Sequence, residues 1–171
     1  APIEELEKMP EVGHATAVVL KFIPQMCAYY LENKTQKNVA LSSVQAVSDF
    51  LMPKFFAKTE EEFYLVCLDA RRKMLRTTCI SKGTGNATSV SVARIVAEVT
   101  KCNATGVVLA HNHPRGITLP SSNDIAVTRE ILKALRMIGV EVVDHLIFAE
   151  NEYLSFADTS YLASIKESME R

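Results

Sequence analysis

The sequence predicts an α/β domain, a sheet layered with helices and preceded by a small helical region. Three observations carry that expectation. Gly106 to Ala110 is an uninterrupted apolar run, the pattern of a strand buried on both faces, and such a strand needs helices on either side of its sheet. Phe63 to Leu68 is a second compact apolar run, and the turn Ala70-Arg71-Arg72-Lys73 returns the chain as Met74 to Ser81, an antiparallel pair. Segments with helical periodicity alternate with these runs, without internal repeats or low-complexity tracts.

The elements follow in order. Ile3 to Lys8 reads as a short helix, Pro10-Glu11-Val12-Gly13 as a tight turn, and His14 to about Glu32 as a long apolar helix. The polar stretch Asn33 to Asn38 breaks the periodicity and reads as a linker, so the expected division is a helical region over 1–38 and a main domain over 39–171. Ser42-Ser43 caps a helix running to about Phe55. After the strand pair, Lys82 to Ser91 is a loop rich in Gly, Thr, Ser and Asn, and it feeds a helix from Val92 to about Lys101. Beyond the Gly106 strand, a loop with Pro114, Gly116 and Pro120 leads to a helix from Ser121 to about Ile138, closed by Gly139 at a C-cap position. Val140 to Phe148 and Tyr153 to Phe156 are two more strands, and Tyr161 to Glu170 is a closing helix.

Composition bounds what such a domain can do. The chain has 171 residues, 48% hydrophobic and 23% charged, with six glycines and six prolines, which excludes a disordered tail, a collagen-like rod and a disulfide-stapled mini-protein. Nineteen Lys and Arg against 20 Asp and Glu give a net charge of −1, so no chain-wide basic field holds nucleic acid and any DNA contact must be local. Cys27, Cys67, Cys79 and Cys102 are far apart without a C-x-x-C pair, which fits free thiols in a reducing cytoplasm. No run approaches the ~18 apolar residues of a membrane helix, and no basic region followed by an apolar one opens the chain, so a membrane partner and export are not expected. The chain starts at Ala1 within a charged helical pattern, and an upstream part is expected to be missing.

Chemistry concentrates in one string, His111-Asn112-His113-Pro114-Arg115-Gly116-Ile117-Thr118-Leu119-Pro120-Ser121-Ser122-Asn123-Asp124. Strand side chains alternate, so His111 and His113 project from one side at the end of the Gly106 strand. Catalytic zinc takes three N or O ligands and leaves a position for water; two histidines and a carboxylate in the first turn of the next helix supply that set. Ser121-x-x-Asp124 also reads as a capping box, with Ser121 bonding the N3 amide and Asp124 bonding back, and capping and ligation do not exclude each other. Upstream, Glu60, Glu61 and Glu62 offer adjacent carboxylates, which a solvated strand entrance would also explain. A zinc deaminase would need H-x-E and P-C-x-x-C, and both are absent.

H-x-H-x7-S-x2-D resembles the JAMM (MPN+) metalloprotease signature, and its setting resembles the RadC family within it. HNHPRG, then PSSND with Thr128, then VVDHLIF and YLSFAD occur in that order, with FYLVCLDARRKML and ISKGT upstream, over roughly Ser42 to Asp158. The resemblance implies a cytidine-deaminase-like three-layer α/β/α fold and a Zn2+ site made by His111, His113 and Asp124. It further implies a catalytic glutamate eight residues before the Asp of the L-D turn, which is Glu61, as general base and proton carrier. Ser121 would then donate to the oxyanion of a tetrahedral intermediate. The expected activity is hydrolysis of a peptide or isopeptide bond in a protein substrate. The runner-up is a DNA-repair-associated accessory protein with a structural or inactive metal site. A phosphodiesterase would need a second metal, and no second ligand cluster is visible.

Three further features bear on partners. Leu6 to Leu20 resembles a helix-hairpin-helix, whose backbone can hold a DNA phosphate, but its first hairpin glycine is Glu11, a carboxylate where the phosphate would approach. Arg115 stands where the family has Ser and would favour acidic substrates or face solvent. His145, after Asp144 on a strand, matches the family as a rim residue or as a hydrogen-bonded core histidine, and lies outside the expected catalytic set.

Overall fold

The structure is a computed structural model and describes residues 1–35, 40–83, 90–114 and 116–170. Two helices, α1 (Ile3–Leu6) and α2 (His14–Thr35), precede α3 (Val44–Phe55). Strands β1 (Glu61–Leu68) and β2 (Met74–Gly83) follow, then α4 (Val92–Lys101), β3 (Gly106–Asn112), α5 (Ser122–Met137), β4 (Glu141–Ala149), β5 (Glu152–Ser155) and α6 (Tyr161–Ser168). The five strands form one sheet in the order β2-β1-β3-β4-β5. Its pairs are antiparallel except β3 with β4, the pair joined by the α5 crossover.

Alternation along the central strands builds a core on each face of the sheet. Phe63, Leu65 and Cys67 of β1 and Val107 and Leu109 of β3 pack with Ile95 and Val99 of α4, Ile131 and Leu135 of α5, and Leu162 and Ile165 of α6. Val66 and Leu68 of β1 and Val108 and Ala110 of β3 pack with Val47, Phe50, Leu51 and Phe55 of α3. Every residue of β3 is buried, as its apolar run requires. The expected three-layer α/β/α arrangement is present, with α3 on one face and α4, α5 and α6 on the other.

Local chemistry sets the helix ends. Ser43 Oγ accepts from the Ala46 amide and Ser91 Oγ from the Arg94 amide, each at 3.2 Å, so α3 and α4 begin where their first turns gain a side-chain acceptor. Helix α5 stops before Gly139, whose φ of +71° suits a residue without Cβ. Helix α2 runs on to Thr35, into the polar stretch expected as linker, while 36–39 lie outside the described residues. The expected loop over 84–89 and Arg115 also lie outside them. The α1–α2 turn places Glu11 at φ +65°, a left-handed backbone that a glycine adopts without strain, and this is the position the hairpin pattern gives to glycine.

Candidate metal centre

Strand β3 continues past its apolar run and carries His111 to the rim of the sheet, with His113 just beyond the strand end. The Pro114–Pro120 loop then brings the start of α5 back over this edge. His111 and Asp124 are buried and His113 is partly buried. The Nε2 atoms of His111 and His113 are 3.0 Å apart. Asp124 Oδ1 lies 3.2 Å from His111 Nε2, and Asp124 Oδ2 lies 3.5 Å from His113 Nε2. One ligand atom from each residue therefore sits within 4.8 Å of the other two. Zinc bonds of about 2.0–2.1 Å in a tetrahedron set neighbouring donor atoms about 3.3–3.4 Å apart, so the three side chains lie close enough to serve as zinc ligands.

The far sides of both rings are engaged. His113 Nδ1 donates to the Ile117 carbonyl at 2.8 Å; a carbonyl only accepts, so this nitrogen carries the hydrogen and Nε2 of the neutral ring presents its lone pair. His111 Nδ1 lies 2.8 Å from Nε2 of His145, whose Nδ1 lies 2.7 Å from Thr128 Oγ1. Two imidazole Nε2 atoms 3.0 Å apart beside a carboxylate need a hydrogen or a metal ion between them. In the metal-free protein a proton answers that need. The hydrogen bond to Asp124 raises the His113 pKa against the pull of burial, and the Ile117 carbonyl and the charges of Asp124 and Glu61 add to the rise. Burial works against ionisation of Asp124, but hydrogen bonds from His111 and His113, the His111 charge and Ser121 hold its carboxyl far below the usual carboxylate range.

Asp124 is also the N3 residue of α5. Ser121 Oγ accepts from the Asp124 amide at 3.1 Å, while the Ser121 amide and hydroxyl donate to Asp124 Oδ2 at 2.7 and 2.6 Å. The capping box read from the sequence is thus complete, and it orients the carboxylate that faces the histidines. One side chain is thus both the helix cap and a candidate metal ligand.

Strand β1 sorts the three glutamates. Phe63 pairs with His111 across the antiparallel β1–β3 ladder, and its ring stacks on the imidazole at 6.0 Å between centroids. Two residues before Phe63 on the same strand, Glu61 shares the face of Phe63 and pairs with Gly83 of β2. Its charge is felt at His113. Glu62 projects from the other face, where Lys82 and Lys58 reach Oε1 at 3.1 and 3.4 Å and Tyr64 donates to Oε2 at 2.8 Å. The structure thus brings His111, His113, Asp124, Ser121 and Glu61 to one corner of the sheet and turns Glu62 away.

Asn112 is a contributor that spacing did not reveal. Its Oδ1 accepts from the Glu62 amide at 2.7 Å, and its Nδ2 donates to the Glu60 carbonyl at 3.1 Å. These bonds tie the backbone on either side of Glu61 to the strand carrying the histidines. The signal was the middle letter of H-N-H, an amide able to donate and accept at once. Beside His113 opens a cleft of about 230 Å³, whose lining includes Phe55, Lys58, Asn112, Pro114 and Glu150.

A family model of the RadC-like JAB domain matches residues 41–161, from just before α3 to the first residue of α6. The matched span contains the whole sheet and every residue of the cluster, and it covers more than half of the chain. The chain therefore belongs to the RadC-like JAB domain family.

Proposed function

We propose that the protein is a zinc-dependent hydrolase of the JAMM type, acting on a peptide or isopeptide bond through an activated water. The observation that carries this reading is the convergence of two imidazole Nε2 atoms and one carboxylate, close enough to serve as zinc ligands, with His113 Nδ1 already committed to a carbonyl. Family membership adds to it. Zinc bound by His111, His113 and Asp124 would act as a Lewis acid and lower the pKa of a water toward about 7.

The remaining steps fall to the chain's own groups. Glu61, on the same face as the histidines, accepts the proton of the attacking water and returns it to the leaving amine, as a general base and then acid. Ser121 keeps its acceptor lone pair on the Asp124 amide while its hydroxyl hydrogen turns from Asp124 Oδ2 to the oxyanion forming on the substrate carbonyl. The cleft beside His113 is smaller than the roughly 300–1,000 Å³ of pockets that engulf a small molecule, and it suits one side chain of a chain-like substrate.

The test is Glu61→Gln beside His113→Ala, with zinc content, thermal stability and hydrolysis of a peptide and an isopeptide-linked conjugate measured together. Glu61→Gln is expected to keep zinc and fold while losing about 10²–10⁴-fold in rate. His113→Ala is expected to lose the zinc. Unchanged hydrolysis in Glu61→Gln removes Glu61 as the base, and a wild-type protein that takes up no zinc overturns the reading as a whole.

A further inference from the structure

We infer that His145 is a positioning residue: with Thr128 it holds His111 in the tautomer that turns the Nε2 lone pair toward His113 and Asp124. The inference rests on the proposal that these three residues hold a metal.

The protons along this chain of contacts can be placed one after another from a single fixed end. Thr128 Oγ1 lies 2.5 Å from the Asp124 backbone carbonyl, one helical turn earlier in α5. A carbonyl can only accept, so the Thr128 hydroxyl hydrogen is spent there. His145 Nδ1 lies 2.7 Å from the same Oγ1, which has only lone pairs left on that side, so Nδ1 must carry a hydrogen and donate. His145 is fully buried, with the Phe156 and Phe63 ring centroids 4.8 and 5.6 Å from its own, and burial favours the neutral ring. A neutral ring with hydrogen on Nδ1 has a lone pair on Nε2. His111 Nδ1, 2.8 Å from that lone pair, is therefore the donor, and Nε2 of a neutral His111 is left free to bind.

The chain of bonds returns to where it began. It starts at the backbone carbonyl of Asp124 and ends at His111 Nε2, 3.2 Å from the carboxylate of the same residue. Asp124 thus fixes the His111 tautomer through its carbonyl while presenting its carboxylate beside the same imidazole. His145 is itself anchored: Asp144 Oδ1 accepts from the His145 and Ala157 amides at 2.7 and 2.9 Å, and Ser155 Oγ donates to Asp144 Oδ2 at 2.6 Å. Asp144 therefore holds the His145 backbone, while Thr128 and the rings of Phe63 and Phe156 hold its imidazole. Hydrogen bonds behind a ligating imidazole set its tautomer and raise its basicity, and losing one commonly costs about 10–100-fold in metal affinity.

The experiment uses the full chain and measures Zn2+ affinity by chelator competition, the visible spectrum of the Co2+-loaded protein, and imidazole tautomers by 15N-edited NMR of the metal-free protein at alkaline pH. His145→Phe removes the acceptor behind His111 and is expected to weaken zinc about 10–100-fold and to change the Co2+ bands. His145→Gln places an amide oxygen where Nε2 stood and is expected to recover much of the affinity. Thr128→Val, with the same shape and no hydroxyl, is expected to weaken zinc in the same direction, and Thr128→Ser to restore it. NMR should show hydrogen on Nδ1 of both His111 and His145. Hydrogen on Nε2 of His145, or wild-type zinc affinity in both His145→Phe and Thr128→Val, would overturn the inference. If His145→Phe does not fold, the Thr128 pair and the tautomers decide it. If the wild-type chain binds no zinc, the proposed function fails, while the tautomers still test the hydrogen-bond order.

Discussion

At the scale of single residues, His113 makes the proposed metal site sensitive to acid. Its pKa is raised from 6.5, first by the hydrogen bond to Asp124 and further by the charges of Asp124 and Glu61. A base whose folded pKa is raised stabilises the fold below its unfolded value and loses that contribution as pH rises through the folded value. Zinc needs the deprotonated imidazole, so proton and metal compete for one lone pair. Zinc affinity should therefore begin to fall above pH 6.5 as the solution is acidified. Glu61→Gln, which removes one of the charges that raise His113, should move this fall to lower pH; chelator competition across mildly acid to neutral pH reads both curves. Asp124 works in the opposite sense, because its depressed pKa keeps it charged well below the range where His113 titrates.

At the scale of elements, the sequence is informative about the framework and less so about the strand ends. The apolar runs at Phe63 and Gly106 identify β1 and β3, yet each strand extends two residues further, β1 back to Glu61 and β3 forward to Asn112. Those extensions hold Glu61, His111 and Asn112, polar residues in strand positions, and hydrophobic periodicity ends a strand where its letters turn polar. The extensions are held by other neighbours: Glu61 and Glu62 pair with Gly83 and Lys82 of β2, Asn112 pairs with Phe148 of β4, and the Asn112 amide ties the two ends together. The H-x-H and S-x-x-D spacing brought the metal cluster within reach of reading, since both rest on local geometry. The place of His145 behind His111 depends on β3 lying parallel to β4, a long-range pairing that no short window contains.

Helix α5 yields an element-scale prediction. Glycine at an N-cap costs only a few tenths of a kcal/mol relative to serine, whereas alanine costs about 1 kcal/mol. Ser121→Gly should thus leave the thermal midpoint nearly unchanged while removing the hydroxyl proposed for the oxyanion, and hydrolysis should fall about 10²–10³-fold. A rate loss no greater than the stability loss explains would confine Ser121 to capping.

At the scale of the molecule, helix α2 meets the site only at its margin, where Pro24, Gln25 and Tyr29 line a cleft with Glu60 and Glu62. The cluster is built from β1, β3, β4 and α5, whereas α2 packs chiefly against α1 and α3. Helix α2 also leaves Val19, Phe22, Met26, Tyr29 and Tyr30 more than half exposed. Charges placed on that surface, as in Val19→Glu with Phe22→Glu, should leave zinc content and affinity at wild-type values. A drop in affinity measured on the folded double variant would show that the two parts are coupled.

The β3–α5–β4 crossover has a consequence for how the molecule comes into being. His111 and His113 arrive on one arm of this unit, Asp124 and Thr128 on its helix, and His145 on the other arm. Local hairpins such as β1–β2 close a short loop, but a parallel pair must wait until a whole intervening helix has docked. During folding, the support that His145 gives His111 is therefore completed late, once β3 and β4 have paired. His111, His113 and Asp124 lie within one β3–α5 segment, so the candidate ligands need only that loop to close, whereas the hydrogen bonds that order them need the whole crossover.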